Sequence, residues 1–161
     1  MLYFEDIFKA LKKAQIDYVV VGGLATVLHG VVRMTADLDL VVALNQENIT
    51  NFSKVMKNLG YKPKAPVSVE QLGDPKKRQE WIHEKNMQVF SFYHVTEHYK
   101  LIDVFITEPI SFNELNKAKK VIRVEDFEIP ICSLEHLIEV KKKAGRPQDM
   151  ADIKALKKLR K

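Results

Sequence analysis

Apolar residues open the chain at helical spacing. Phe4, Ile7, Phe8 and Leu11 stand three and four positions apart ahead of a polar break at Gln15 to Asp17, and this spacing predicts a first helix. Tyr18 to Val21 is short, apolar and β-branched and predicts a strand. Gly22 and Gly23 interrupt it, and Leu24, Ala25, Val27 and Leu28 then fit a two-turn helix closed by Gly30. The order is strand, glycine turn, helix.

Beyond the polar stretch Arg33 to Ala36, the run Asp37 to Val42 alternates acid and apolar before turning wholly apolar, as a strand buried at its far end does. Strand side chains repeat every two residues, so Asp37 and Asp39 are expected on one face. Asn45 is positioned to cap a helix through Ile49, Phe52, Val55, Met56 and Leu59, with Gly60 at its left-handed end. Residues 61–86 have weak periodicity. Lys62, Pro63, Lys64 and Pro66 read as breaks, Ser68 with Gln71 as a candidate capping box, and Asp74-Pro75 as the start of a helix through Trp81. Met87 to Tyr93 and Tyr99 to Ile106 predict an antiparallel hairpin, with Asp103 in its second strand. Ser111 and Glu114 mark a short helix. Val121 to Val124 and Phe127 to Ile131 predict two more strands, and capped helices follow from Ser133 to Gly145 and from Pro147 through Leu159.

These elements predict an α/β (α+β) fold, a mixed β-sheet flanked by helices. With 161 residues and 46% hydrophobic content there is material for one substantial core, so a single domain over 1–161 is expected, an α/β core at 1–131 followed by C-terminal helices at 132–161. No apolar run approaches the ~18 residues of a membrane span, and the N-terminus lacks a signal-peptide pattern, which favours a cytoplasmic protein and excludes a membrane partner. The single Cys132 excludes an internal disulfide and a multi-cysteine zinc site and reads as core packing. A net charge of +5 favours an anionic partner without naming one.

Three features carry chemistry in combination: the glycine pair between strand and helix, the acids Asp37 and Asp39 at the start of the next strand, and Asp103 inside a later apolar strand. Glycines at a helix start leave backbone N–H groups available to phosphate. Two carboxylates on one strand face form a hard oxygen site suited to Mg²⁺ together with substrate phosphates. Asp103, between Ile102 and Val104, needs a cation, a donor or an open face. Its structural alternative is an ion pair with Lys100 or Arg123. A dinucleotide-binding turn is argued against by the missing G-x-G-x-x-G spacing, and a P-loop by the absence of Gly-Lys-Ser/Thr. His94 and His98 fall in a hairpin turn rather than on a helical metal face. Trp81, Phe92 and Tyr93 are candidates for stacking on a base, against the commoner role of such aromatics in a core.

As a set, Gly22-Gly23, the segment Arg33-Met-Thr35-Ala-Asp37-Leu-Asp39-Leu-Val-Val and Leu-Ile-Asp103-Val-Phe resemble the DNA polymerase β-like nucleotidyltransferase superfamily. The tail from Lys141 through Arg146, Asp149 and Asp152 looks like that of its small prokaryotic stand-alone and abortive-infection toxin-like members. The resemblance implies transfer of a nucleoside monophosphate from a nucleoside triphosphate, ATP or another, to an acceptor hydroxyl with release of pyrophosphate. It implies two Mg²⁺ ions, with Mn²⁺ as a substitute, on Asp37, Asp39 and Asp103. Gly22, Gly23, Thr26, Arg33 and Thr35 would hold the triphosphate, and Lys141 and Arg146 would contact phosphate or acceptor. Asp149 and Asp152 read only as acids favoured by the dipole of the last helix. RNA such as tRNA, a protein or a small molecule are the candidate acceptors. The rival reading is a non-catalytic NTP-binding module that acts as a toxin–antitoxin partner.

Overall fold

A computed structural model describes residues 4–160, so residues 1–3 and 161, the ends of the expected 1–161 span, lie outside the described residues. Helix α1 (Glu5–Lys13) buries Ile7, Phe8 and Leu11, and strand β1 (Tyr18–Val21) runs directly into α2 (Gly22–Leu28). Strand β2 (Leu38–Val42) begins one residue after Asp37, and α3 (Gln46–Asn58) is capped by the Asn45 side chain, which accepts from the Asn48 N–H. Tyr61–Pro63 forms a short strand, β3, where the prolines and lysines had predicted only a break. Its Pro63 sits at the sheet edge, where a missing N–H costs nothing in the ladder.

After a 3-10 turn at Val69–Gly73 comes α4 (Pro75–Lys85), started by Asp74 accepting from the Lys76 N–H and ended by Asn86 in the left-handed region. Ser68 does not build the expected capping box, since its hydroxyl donates to Glu70 instead. The hairpin is β4 (Val89–His94) and β5 (Leu101–Phe105). It is followed by α5 (Phe112–Ala118), β6 (Lys120–Val124), β7 (Phe127–Ile131), α6 (Leu134–Ala144) and α7 (Pro147–Lys158).

The seven strands form one mixed sheet in the order β3-β4-β5-β2-β1-β7-β6, with β2–β5 and β1–β7 parallel and the other pairs antiparallel. This agrees with the α/β expectation. Phe90, Phe92, Ile102 and Val104 are fully buried on one face of the hairpin, where Phe52 of α3 meets Phe92 edge-on at 5.9 Å and Trp81 of α4 lies 5.5 Å from Phe90. The alternate residues Val89, Ser91, Leu101, Asp103 and Phe105 are only half-buried, because they point to the opposite face. That second face, at the centre of the sheet, carries the polar site. The C-terminal helices wall it, as α7 packs on α6 and α6 packs on α2.

Candidate active site

Strand register places the acids. β2 and β5 run parallel with Asp39 directly opposite Asp103, so both carboxylates leave the same face of the sheet. Asp37, one residue ahead of the ladder, joins them as a lining residue of a cleft of about 890 Å³. On the other side of β2, Val21 pairs with Asp39, and the chain then turns into α2 through Gly22 at φ +71°. A Cβ at Gly22 would lie 2.1 Å from Oδ2 of Asp39, and one at Gly23 would lie 2.4 Å from Oγ1 of Thr35. Glycine is thus required twice, because an acid and a hydroxyl occupy the space a side chain would fill.

The acids hold one another in a strained electrostatic state. Burial, then Asp103, then Asp37 push the Asp39 carboxyl up to about 7, against the opposing pull of Lys141 and Arg146. Asp37 is raised as well, by burial and by Asp103, with Lys64 opposing. Asp103 does not take the ion pair that was its alternative. Lys100 binds Glu97 at 2.7 Å and Arg123 binds Glu128 at 2.6 Å, while Oδ1 of Asp103 accepts from the Ser91 hydroxyl at 2.6 Å.

Like charges gathered in a half-open cleft are what a divalent cation relieves. Among the described residues, no three His, Cys, Asp or Glu side chains are arranged to hold an ion by themselves. Mg²⁺ does not require such a cage, since it takes one or two carboxylates and completes its shell with water and substrate phosphates. The donor set fits that ion and not a soft metal.

One wall of the cleft is an ion network. Asp152, 2% exposed, accepts on Oδ2 from Arg33 Nη1 at 2.6 Å and from Lys141 Nζ at 2.8 Å, and on Oδ1 from Gln148 Nε2 at 2.9 Å. Asp149 lies 3.8 Å from Lys141 and accepts from both the backbone N–H and Nε of Arg146, at 3.1 and 2.8 Å. Burial raises the Asp149 carboxyl, but these hydrogen bonds outweigh it and the net shift is downward.

Gly22, Gly23, Arg33, Thr35, Lys141 and Arg146 therefore line the same cleft as the three acids. Thr26 does not. Its hydroxyl is buried and donates to the Gly22 carbonyl at 2.9 Å, a back-bond within α2 that turns it away from the cleft, which corrects its reading as a phosphate ligand. Lys141, 4% exposed, is committed to Asp152 rather than standing on an open basic helix face.

The acids that sequence reasoning assigned to the helix dipole proved to be organisers of this wall. The signal was legible: Asp149, Asp152, Ile153 and Leu156 occupy one i, i+3, i+4, i+7 stripe, and all four are buried. Met34, Gln88, Val89 and Phe105 also line the cleft without having been singled out.

Comparison with known proteins bears on the family and the fold. A family model described as "Nucleotidyl transferase of unknown function (DUF2204)" matches residues 2–161. No curated protein matches the chain significantly. Among solved structures, the lincosamide antibiotic adenylyltransferase LnuA in lincomycin-bound form is similar at TM-score 0.63 and 19% identity, over 95% of this chain and 93% of that one. The antibiotic-resistance factor ANT(2'')-Ia is similar at TM-score 0.58 and 15% identity, over 97% and 80%. An antigenic nucleotidyltransferase-like protein from Paracoccidioides brasiliensis follows at 0.57 and 16%, over 93% and 71%. At such identities these likenesses bear on the fold.

Proposed function

The chain belongs to the nucleotidyl transferase family whose model spans it, and on that premise we propose that it moves a nucleoside monophosphate from an NTP, ATP or another, to an acceptor hydroxyl, with release of pyrophosphate. It is a nucleotidyltransferase of the DNA polymerase β-like superfamily. The observation that carries the finer reading is the register of Asp39 against Asp103, with Asp37 in the same cleft.

Asp37 and Asp39 are the residues that would hold the divalent cations, two Mg²⁺ ions in our reading, with Asp103 completing the site on the side of the attacking hydroxyl. When bound, such ions supply Lewis-acid neutralisation of charge on the triphosphate and at the attacking oxygen. The chain's own residues do the rest. Gly22 and Gly23 let the triphosphate approach the backbone, and Thr35 offers a hydroxyl beside Gly23. Arg33, Lys141 and Arg146 line the wall with positive charge. Asp103, oriented by Ser91, accepts the proton of the acceptor hydroxyl as its oxygen attacks the α-phosphorus.

The acceptor is an RNA such as tRNA, a protein such as a toxin–antitoxin partner, or a small molecule. We place the activity in the cytoplasm with its NTP donor; among the described residues, no helix is long and apolar enough to cross a membrane. A non-catalytic NTP-binding module is disfavoured by three intact carboxylates in one cleft.

Transfer from radiolabelled NTP to RNA, protein and small-molecule acceptors, with Mg²⁺ or with chelator, tests the proposal. Wild-type chain should label an acceptor only with the metal. Asp103→Ala should keep affinity for a non-hydrolysable Mg·NTP within about threefold while the rate falls about 100-fold or more, as for loss of a positioned general base. Full turnover in that variant would falsify the assignment of Asp103.

A further inference from the structure

The site face of the sheet continues outward from the acids, beyond the cleft. Register pairs Val89 with Phe105, Ser91 with Asp103, and Tyr93 with Leu101 across β4 and β5, and Lys62 of β3 stands opposite Tyr93. Paired residues of an antiparallel ladder share a face, so Lys62, Tyr93 and Leu101 form one row beside the row of Ser91, Asp103 and Asp39. Burial agrees with the register. Phe90, Phe92, Ile102 and Val104 are sealed on the far face, whereas Ser91, Tyr93, Leu101 and Asp103 are half-buried and Lys62 is exposed. Lys64 extends the edge, its N–H donating to the Ser91 carbonyl at 2.9 Å, and its charge acts on Asp37.

Three inter-strand spacings of about 4.8 Å separate β3 from β2, so this platform reaches roughly 14 Å from the acids, past the space one sugar at Asp103 occupies. It carries an aromatic ring, an apolar floor and two lysines.

Resting on the transferase reading above, we infer that the acceptor is the 3′ end of a single-stranded polynucleotide, laid along this face with its penultimate base on Tyr93 and its phosphates at Lys62 and Lys64. A polyanion suits the lysines, and bases stack on aromatic faces with little regard to sequence. A cationic small molecule would meet like charge on the same rim. The terminal 3′-oxygen attacks the α-phosphorus of the NTP and a new O–P bond forms. The bond from that phosphorus to the bridging oxygen breaks, pyrophosphate leaves, and the hydroxyl proton passes to Asp103. Trp81 and Phe92, the other two candidates for stacking, are buried in the core and take no part.

The test uses the full chain, a fluorescent single-stranded oligoribonucleotide, its deoxy counterpart and a 3′-phosphorylated copy, with lincomycin, tobramycin and total protein as competing acceptors for radiolabelled NTP. The free 3′-hydroxyl strand should be labelled, the blocked one not, and the two sugars tell RNA from DNA. Lys62→Glu/Lys64→Glu should raise the KM for the strand at least tenfold and flatten the dependence of log affinity on log salt by about 1.4, the share of two single-strand phosphate contacts. Tyr93→Ala should weaken strand binding at least fivefold and Tyr93→Phe should restore it. Tyr93→Ala, Tyr93→Phe and Lys62→Glu alone should keep the wild-type affinity for a non-hydrolysable Mg·NTP, whereas Lys64→Glu also removes a charge that acts on Asp37.

Absence of strand binding, a strand bound but never extended, unchanged binding in the variants, or label on the antibiotic or protein alone each overturns the acceptor assignment. Failure of the wild-type chain to bind Mg·NTP overturns the transferase reading itself, a separate result from the same titration.

Discussion

At the scale of single residues, Asp39 concentrates the electrostatic cost of the site. Its ordinary value of 3.8 is pushed to about 7 by burial and by the neighbouring Asp103 and Asp37. A carboxyl raised in the fold favours its protonated form there. Its stabilising contribution is complete below the unfolded value and is lost as pH rises toward the folded one, because the unfolded chain releases that proton first. Metal-free protein should therefore melt at lower temperature as pH rises from 5 to 7. Carboxyls lowered in the fold, such as Glu70 and Asp149, act in the opposite sense at the acid end and leave this window to Asp39. Asp39→Asn should flatten the slope and raise the metal-free melting temperature at pH 8. Mg²⁺ should raise the melting temperature of wild type more at pH 8 than at pH 5.5. Differential scanning calorimetry in chelator and in Mg²⁺ reads all three, and an unchanged slope in the variant would remove Asp39 as the cause.

Between elements, the decisive contact joins α7 to α6 and to the segment ahead of β2 through one buried carboxylate. Asp152 holds Lys141 and Arg33 on the same oxygen, with Lys141 and Asp152 both nearly sealed from solvent. Removing an acid from such a pair strands a buried cation, which costs about 3–5 kcal/mol, whereas removing both partners leaves packing to recover part of it. Asp152→Ala should lower the urea midpoint accordingly. Asp152→Ala/Lys141→Met should recover a measurable part of the loss, with Arg33 free to turn to water. If the double variant is no more stable than the single one, stranded charge is not the source of the cost. This segment also carries Val32 and Met34, 100% and 91% exposed, so its fixed points are Arg33 on Asp152 and Thr35 against Gly23 rather than apolar burial.

For the molecule as a whole, the acids, the glycine turn and the ion wall come from β1–α2, β2, β5, α6 and α7, elements spread from residue 22 to residue 152. A ligand that engages all of them links distant parts of the chain, and its binding free energy becomes folding free energy. Mg·NTP at about 100 times its dissociation constant should stabilise the fold by about 2.7 kcal/mol. NTP in chelator should do far less, because the acids repel the triphosphate without a cation between them. Thermal melts with NTP alone, Mg²⁺ alone and both together check this, and equal shifts with and without the metal would argue against a shared site.

The elements themselves were legible from local physics. Periodicity marked the helices. Asn45, Asp74, Ser111 and Ser133 marked helix starts that the structure builds with side-chain caps, and the Gly22-Gly23 interruption marked the turn that leads into the cleft. The alternation Asp37, Asp39 and the apolar flanks of Asp103 were enough to single out three acids as a set. What no local rule supplied was partnership. Strand β3 exists because β4 lies beside it, against the preferences of Lys62 and Pro63. Thr26 turned to its own helix because the Gly22 carbonyl, one turn back, lies within reach of its hydroxyl. Asp149 and Asp152 resembled ordinary helix-start acids until the pairing of α7 with α6 buried them on Lys141. The sequence determined which residues are acid, apolar or turn-forming and at what period they recur. The tertiary structure alone decided which of them face each other, because burial and ion pairing depend on elements that meet in space from distant parts of the chain.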